Sequence, residues 1–160
     1  MCYKIDEIQK EDDLIICRII KEVGAEYGAI GEGFGPSDDE VSAMSQYYTD
    51  ALKSKYFVAK IDGKVVGGCG IAAFNNSNDI CELKKLFLLP ECRGFGIGRQ
   101  LSNQCLEFAK SRSFKNCYLD TLKNMTSAIT LYESMGFRHL DKPLADSEHS
   151  GCDVWMLKQL

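Results

Sequence analysis

Apolar positions recur along this chain with two different spacings, and the change of spacing divides it into helices and strands. Apolar side chains three and four residues apart predict amphipathic helices, whereas shorter apolar runs bounded by turn residues predict strands. From the N terminus these patterns predict a strand over residues 3–7, helices over 11–24 and 38–52, strands over 56–61, 64–74 and 80–89, a helix over 97–112, a strand over 116–120, a helix over 126–135, and strands over 137–140 and 153–157.

Turn and cap residues support these boundaries. Asp62 and Gly63 form a two-residue hairpin signal between two predicted strands, and Gly136 follows the helix over 126–135 as its C-cap. Ser37 or Asp38 is suited to capping the helix that ends near residue 52. The order β-α-α-β-β-β-α-β-α-β-β therefore predicts an α/β (α+β) fold, in which four helices flank a mixed sheet of about seven strands.

Composition limits the class of protein. The 160 residues are 45% hydrophobic and 26% charged, which predicts a single domain over residues 1–160 with its own core. The formal net charge of −4 argues against broad nucleic-acid binding. No apolar run is long enough for a membrane span, and the N-terminal segment is charged rather than apolar. The chain is therefore predicted to be cytoplasmic, with no nucleic-acid or membrane partner.

Cysteine and histidine usage gives no metal signal. The eight cysteines form no CxxC pair, and with two histidines they match no zinc-ligand spacing, so we expect free thiols and no metal. His139 and His149 each lie near a predicted strand, where a lone histidine is more often structural than catalytic. Residues 142–151 are polar; they are either a plain surface loop, which we favour, or a segment that closes over a substrate.

A glycine-rich turn stands between the strand that ends at Pro90 and the next helix. It reads Arg93-Gly94-Phe95-Gly96-Ile97-Gly98. Glycines permit close approach of the backbone to a ligand, and the free N–H groups of a helix N-terminus bind anions, most naturally phosphate. The spacing is not that of a P-loop, and Arg99 stands where a dinucleotide fingerprint needs its third glycine. Asp120, at the distance of a ribose-binding acid, keeps a nicotinamide cofactor open as an alternative.

A second block makes the pattern more specific. Residues 128–137 place Ala128, then Leu131-Tyr132-Glu133, then Gly136-Phe137, one helix and one strand after the glycine turn. Together with the Arg-x-x-Gly-x-Gly turn, this block resembles the GNAT superfamily of acyl-CoA-dependent N-acyltransferases. The resemblance covers nearly the whole chain and is weakest over residues 1–50. It implies a mostly antiparallel sheet whose central strands splay apart at the cofactor site.

The resemblance also implies roles for individual residues. Tyr132 stands where a family tyrosine often faces the cofactor sulfur and protonates the departing thiolate. Met125 replaces an asparagine whose amide contacts the cofactor in many members, and we do not transfer that contact to Asn124. Backbone N–H groups would hold the CoA pyrophosphate at Arg93, Gly94, Phe95, Gly96, Ile97 and Gly98. Backbone pairing with pantetheine would come from Leu86, Phe87, Leu88 and Leu89.

Glu82, on the predicted central strand upstream of the turn, is the candidate base for the acceptor amine. The alternative is an ion pair with Lys84 or Lys85. The resemblance places an acidic group on the acceptor side, where it either faces solvent as first-turn helix charges, which we favour, or attracts a cationic amine. It comprises Glu32, Asp38, Asp39 and Glu40.

The predicted function is an N-acetyltransferase that moves an acetyl group from acetyl-CoA to a primary amine of a small-molecule or amino-acid-like acceptor, by direct attack in a ternary complex. The alternative is a non-catalytic acyl-CoA-binding sensor or interaction module of the same fold. A homodimer is compatible with the family resemblance.

Overall fold

The computed structural model describes residues 2–145, 147 and 149–160, which form seven strands and four α-helices. The helices are α1 (Asp13–Glu26), α2 (Met44–Tyr47), α3 (Ile97–Ser111) and α4 (Thr126–Ser134). The strands are β1 (Lys4–Glu7), β2 (Lys55–Ile61), β3 (Lys64–Ala73), β4 (Ile80–Leu88), β5 (Asn116–Thr121), β6 (Arg138–Leu140) and β7 (Val154–Gln159).

The strands form one mixed sheet in the order β1-β2-β3-β4-β5-β7-β6. Every neighbouring pair in the described chain is antiparallel except β4 and β5, which run parallel. The predicted fold class, a mostly antiparallel sheet of seven strands with four helices, is confirmed.

The two parallel strands separate halfway along their length. In the described chain, β4 pairs with β5 over Ile80–Glu82 and Asn116–Tyr118, and neither strand continues the pairing beyond these residues. A bulge in β4 marks the same region, because the register against β3 shifts there and Lys85 has a φ of +57°. A bulge bends its strand and redirects side chains. The splay predicted for the central strands is therefore present, and it opens a gap beside Leu86–Leu88.

Apolar side chains fill both faces of the sheet. One cluster packs α1 and α2 against β2 and contains Ile16, Ile20, Met44 and Tyr56. The other packs α3 and α4 against the strands and includes four fully buried cysteines, namely Cys69, Cys81, Cys105 and Cys117. All eight cysteines are free, so the expectation of free thiols is confirmed, and these four act as small hydrophobic residues.

The continuous helix predicted over residues 38–52 is wrong. The segment forms 3₁₀ turns at Asp39–Ala43 and Asp50–Leu52, with the single turn α2 between them. Contacts with other elements replace intrahelical hydrogen bonds here: the Asp13 carboxylate accepts from both the N–H and the hydroxyl of Ser45, at 2.8 and 2.6 Å. Long-range hydrogen bonding thus overrides the local preference for helix. No described helix is both long and apolar enough to cross a membrane.

Candidate active site

A cleft of about 360 Å³ lies where the central strands separate. Its floor is the exposed edge of β4, and one wall is the glycine turn that leads into α3. Gly94 and Gly96 have φ values of +85° and +81°, a conformation that side-chain-bearing residues rarely adopt. Gly96 is the N-cap of α3, whose first N–H groups have no intrahelical acceptor. Glycine turn, helix N-terminus and free strand edge together fit the phosphate and amide groups of CoA.

Most residues predicted to bind the cofactor meet at this cleft. Eight of the ten line it, namely Leu86, Phe87, Leu88, Arg93, Gly94, Gly96, Ile97 and Gly98. Leu89 and Phe95 do not line it; Leu89 packs partly buried against the core, and the Phe95 side chain is half exposed. The opposite wall comes from Ser127, Ala128 and Leu131 of α4, the helix that carries the second family block.

The Arg93 side chain ties the glycine turn to α1. Its guanidinium donates to both carboxylate oxygens of Glu26, at 2.7 and 2.9 Å, and to the carbonyl of Leu88, and it lies 5.6 Å from the ring centre of Tyr27. The Asn124 side chain donates to the carbonyl of Tyr27 at 2.9 Å and so binds the backbone at the C-terminal end of α1. The C-terminal end of α1 is thereby fixed beside the cleft.

A smaller cavity of about 70 Å³ adjoins the cleft, and the two share Tyr27, Leu86, Phe87 and Met125 as walls. Tyr132 lines the small cavity, where its ring packs edge-on against Phe137. Burial raises the pKa of the Tyr132 phenol, which therefore stays protonated at neutral pH. A protonated phenol therefore lies in the wall of the small cavity that adjoins the cleft.

Three acidic side chains surround one imidazole on the far side of this cavity. His149 Nδ1 lies 2.9 Å from Asp120 Oδ1 and 3.7 Å from Glu82 Oε2, and His149 Nε2 lies 2.8 Å from Asp38 Oδ2. The side chains of His149, Asp120 and Glu82 are 7%, 3% and 12% exposed. Asp120 and His149 line the cavity, whereas Glu82 is not among its described lining residues. We call Glu82, Asp120, His149 and Asp38 the acid–histidine cluster.

Two lysines of the β4 bulge support this cluster. Lys85 donates to Asp38 at 2.8 Å and lies 3.3 Å from Glu40, and Lys84 lies 3.2 Å from Glu40. The hydroxyl of Tyr48 donates to the same Glu40 carboxylate. Lys84 and Lys85, the ion-pair partners that the alternative assigns to Glu82, thus form their ion pairs with Asp38 and Glu40.

Burial and charge set the protonation of the cluster. Burial raises the pKa of Glu82 to about 7, with Asp120 adding to the rise and Lys84, His149 and Lys85 opposing it. Burial disfavours charge on His149, but its hydrogen bonds to Asp120 and Asp38 prevail and raise its pKa to about 10. Burial also opposes ionisation of Asp38, yet His149 and Lys85 lower its pKa to about 2. At neutral pH the imidazole is therefore a cation between two carboxylates, and Glu82 titrates close to neutrality.

One atom each from Glu82, Asp120 and His149 lie within 4.8 Å of one another, close enough for a single metal ion. Both ring nitrogens of His149, however, have carboxylate partners at hydrogen-bond distance. The arrangement is that of a charge-balanced ion-pair network, and we do not assign the three residues as metal ligands.

The plain surface loop expected over residues 142–151 is wrong for the part of that segment that the structure describes. The sequence favoured a plain surface loop over residues 142–151, but Ser147 donates to Asp120, the N–H of Gly151 donates to the carbonyl of Gly33, and His149 is buried in the cluster. The local pattern could not reveal this, because the partners of His149 are Asp38, Glu82 and Asp120, which are distant in sequence. His139, by contrast, is half exposed and contacts Glu133 at 3.0 Å.

The fold and the cleft define the class of acyl-CoA-dependent acyltransferases, and comparison with known proteins agrees. Residues 25–137 match the model of the acetyltransferase (GNAT) family. The chain belongs to this family and is an acyltransferase of the N-acetyltransferase type.

Two relatives have sequences similar to that of this chain. The chain is 40% identical over 152 residues to the uncharacterized N-acetyltransferase YjgM of Escherichia coli (strain K12), covering 94% of this chain and 90% of the relative. It is 36% identical over 102 residues to the N-acetylaspartate synthetase of Xenopus tropicalis, covering 63% of this chain and 37% of that relative. The similarity to the synthetase thus spans well under half of that protein.

Solved structures share the fold at low sequence identity. A GNAT-family acetyltransferase from Staphylococcus aureus Mu50 superposes with a TM-score of 0.82 at 19% identity, covering 99% of both chains. PaiA N-acetyltransferase from Thermoplasma acidophilum, solved in complex with coenzyme A, superposes with a TM-score of 0.76 at 20% identity, covering 100% of both chains.

Proposed function

We propose that this protein transfers the acetyl group of acetyl-CoA to the primary amine of a small, amino-acid-like acceptor by direct attack in a ternary complex. The observation that supports this best is that the two cavities share walls: the cleft beside the glycine turn adjoins the cavity that Tyr132, Asp120 and His149 line. An acyl group held in the cleft would therefore lie beside titratable groups.

The chemistry needs one proton removed and one supplied. The acceptor nitrogen forms a bond to the acetyl carbon, the bond from that carbon to the cofactor sulfur breaks, and the nitrogen loses a proton. Glu82 takes that proton, and because it is not among the described residues that line the cavity, it acts through an ordered water. Its pKa near 7 suits a base that works at neutral pH.

Tyr132 supplies the proton that the departing thiolate needs. Its phenol stays protonated because burial raises its pKa, and it lines the cavity where cleft and acceptor side meet. The free backbone of β4 beside the splay is available to hydrogen-bond an extended pantetheine arm.

The acceptor side supports a small cationic substrate. A depression of about 360 Å³ shares Phe34 with the inner cavity, and its walls include Glu32 and Asp39, two exposed acidic residues that would attract an ammonium group. The similarity to an N-acetylaspartate synthetase favours an amino-acid-like acceptor, and the small inner cavity favours an unhindered amine.

The test combines binding and turnover. Thiol release from acetyl-CoA is followed with a panel of amino acids and small amines for wild type, Glu82→Gln and Tyr132→Phe, with calorimetric binding of acetyl-CoA in parallel. We expect Glu82→Gln to lower kcat about a hundredfold and Tyr132→Phe about tenfold, at unchanged acetyl-CoA affinity. Glu133→Gln, which alters a half-exposed carboxylate, is the matched control.

The alternatives give different results. A non-catalytic acyl-CoA-binding module would bind acetyl-CoA but release no thiol with any amine. A nicotinamide-dependent enzyme would be stabilised by NADH and not by CoA; a ligand at a hundred times its Kd adds about 2.7 kcal/mol to the free energy of unfolding. Full turnover by both variants would remove the roles given to Glu82 and Tyr132.

A further inference from the structure

The loop between β6 and β7 places His149 beside Glu82, the proposed base, which lies on the central strand β4. Both oxygens of the buried Asp120 carboxylate are taken by this loop, Oδ1 by His149 and Oδ2 by the Ser147 hydroxyl at 2.9 Å. On its other side His149 reaches Asp38, which Lys85 holds in turn. The imidazole is therefore fixed by hydrogen bonds at both nitrogens.

The loop is also seated by close backbone contacts. The N–H of Gly151 donates to the carbonyl of Gly33 at 2.9 Å, and a Cβ at Gly151 would come within 2.6 Å of the Phe34 ring. A Cβ at Gly33 would come within 2.7 Å of the Ser150 hydroxyl. The two segments are thus in close contact two residues from His149, and at Gly151 the Phe34 ring leaves no room for a Cβ.

From this geometry, and on the basis of the function proposed above, we propose that His149 is a positioning residue of acetyl transfer: clamped between Asp38 and Asp120, it supplies the positive charge that keeps the Glu82 carboxylate ready to accept a proton. Its Nδ1 is 3.7 Å from Glu82 Oε2, too far for a hydrogen bond and close enough for a strong charge interaction.

The other charged and titratable groups around Glu82 do not replace the positive charge that His149 supplies. Lys84 and Lys85 on the same strand also favour the Glu82 carboxylate, whereas Asp120 on β5 disfavours it. The Lys84 and Lys85 ammonium groups are bound to Asp38 and Glu40, so much of their charge is neutralised. The nearby hydroxyls of Tyr48 and Tyr118 and the thiol of Cys152 have pKa values raised by burial, so they are uncharged at neutral pH.

The first test is the pH dependence of kcat for wild type, His149→Gln and the control His139→Gln. In His149→Gln the positive charge that lowers the pKa of Glu82 is lost, while burial still raises this pKa. The acidic limb of the profile should therefore move to higher pH. A shift of about one pH unit lowers kcat about tenfold on that limb and leaves it within about twofold of wild type at alkaline pH. The KM for acetyl-CoA should not change, and His139→Gln should follow wild type.

The second test needs no change in the site. The chain has two histidines, so in His139→Gln the imidazole signals in an NMR titration belong to His149 alone. We expect them to report a protonated ring across the neutral range.

Two outcomes would overturn the proposal: a neutral His149 ring at pH 7, or a His149→Gln variant that loses the same fraction of kcat at every pH, which is the signature of a merely structural role. Failure of the proposed function would look different. In that case wild type would show no acidic limb, or Glu82→Gln would keep full activity whatever His149 does.

Discussion

The cleft predicted to hold CoA and the acid–histidine cluster beside it are assembled differently. Residues 86–98 give the cleft its strand edge, glycine turn and helix N-terminus in one continuous stretch, and α4 closes it. The cluster takes single side chains from β4, β5, the segment before α2 and the loop before β7. Backbone groups dominate the first region, whereas buried charges dominate the second. The cofactor side should therefore depend on backbone conformation, and the acceptor side on protonation and loop seating.

The largest effect tests the dependence of the acceptor side on charge. Replacing Glu82 by Gln removes a buried group whose pKa is raised from 4.5 to about 7. The folded protein therefore binds the Glu82 proton more tightly than the unfolded chain does. The contribution of this proton to the free energy of unfolding is fully present below pH 4.5 and is lost as the pH rises through 7. The Glu82→Gln variant has no such proton to lose. We expect its free energy of unfolding to rise relative to that of wild type by on the order of 3 kcal/mol between these pH values, and the difference to stay constant at higher pH.

Thermal or denaturant unfolding of both proteins from pH 5 to pH 9 measures this difference. Glu133→Gln serves as the control, since Glu133 is half exposed, and its difference from wild type should be small throughout. A stability difference between Glu82→Gln and wild type that stays constant with pH would show that Glu82 is not held in a charge-disfavouring site.

The next effect tests the dependence of the cofactor side on backbone. Gly96→Val places a β-branched residue at a φ of +81°, which such residues avoid, so the turn should change shape and present its N–H groups differently. We expect acetyl-CoA to bind at least about tenfold more weakly in calorimetry. Gly63→Val introduces the same backbone strain at a φ of +77° in the β2–β3 hairpin. This variant should destabilise the protein without weakening the binding of acetyl-CoA. Equal affinity in the two variants would contradict the role of the turn.

The smallest effect concerns loop seating. Gly151→Ala puts a Cβ within 2.6 Å of the Phe34 ring, so the loop that carries His149 has to shift. We expect the KM for the acceptor to rise roughly three- to tenfold, with acetyl-CoA affinity unchanged. In Gly35→Ala the new Cβ lies at an ordinary 3.9 Å from His149 Nε2, so this variant should behave as wild type. A weaker affinity for acetyl-CoA in Gly151→Ala would show that the two regions are not separable.

The contrast explains what could be predicted from the sequence. The glycine turn, the strand before it and the helix after it are local patterns, so the stretch 86–98 and the order of strands along the chain could be predicted. The splay at β4 came from the resemblance to the GNAT superfamily and from no local pattern. The pattern of Asp38–Glu40 looked like the first turn of a helix because three acidic residues suit that position. In the structure Asp38 and Glu40 face the lysines of the β4 bulge instead, a pairing between segments that no local rule contains. His149 was missed for the same reason.

The contact of Gly33 with Gly151 has a consequence for how this family diversifies. A Cβ at Gly151 would come within 2.6 Å of the Phe34 ring, and Gly33 has a φ of +89°, which side-chain-bearing residues rarely adopt. We expect the two loops to change together in descendants of a common ancestor, as a unit that includes residue 149. New acceptor preferences would then arise by exchange of this paired unit, separately from the stretch 86–98 that we propose binds the cofactor.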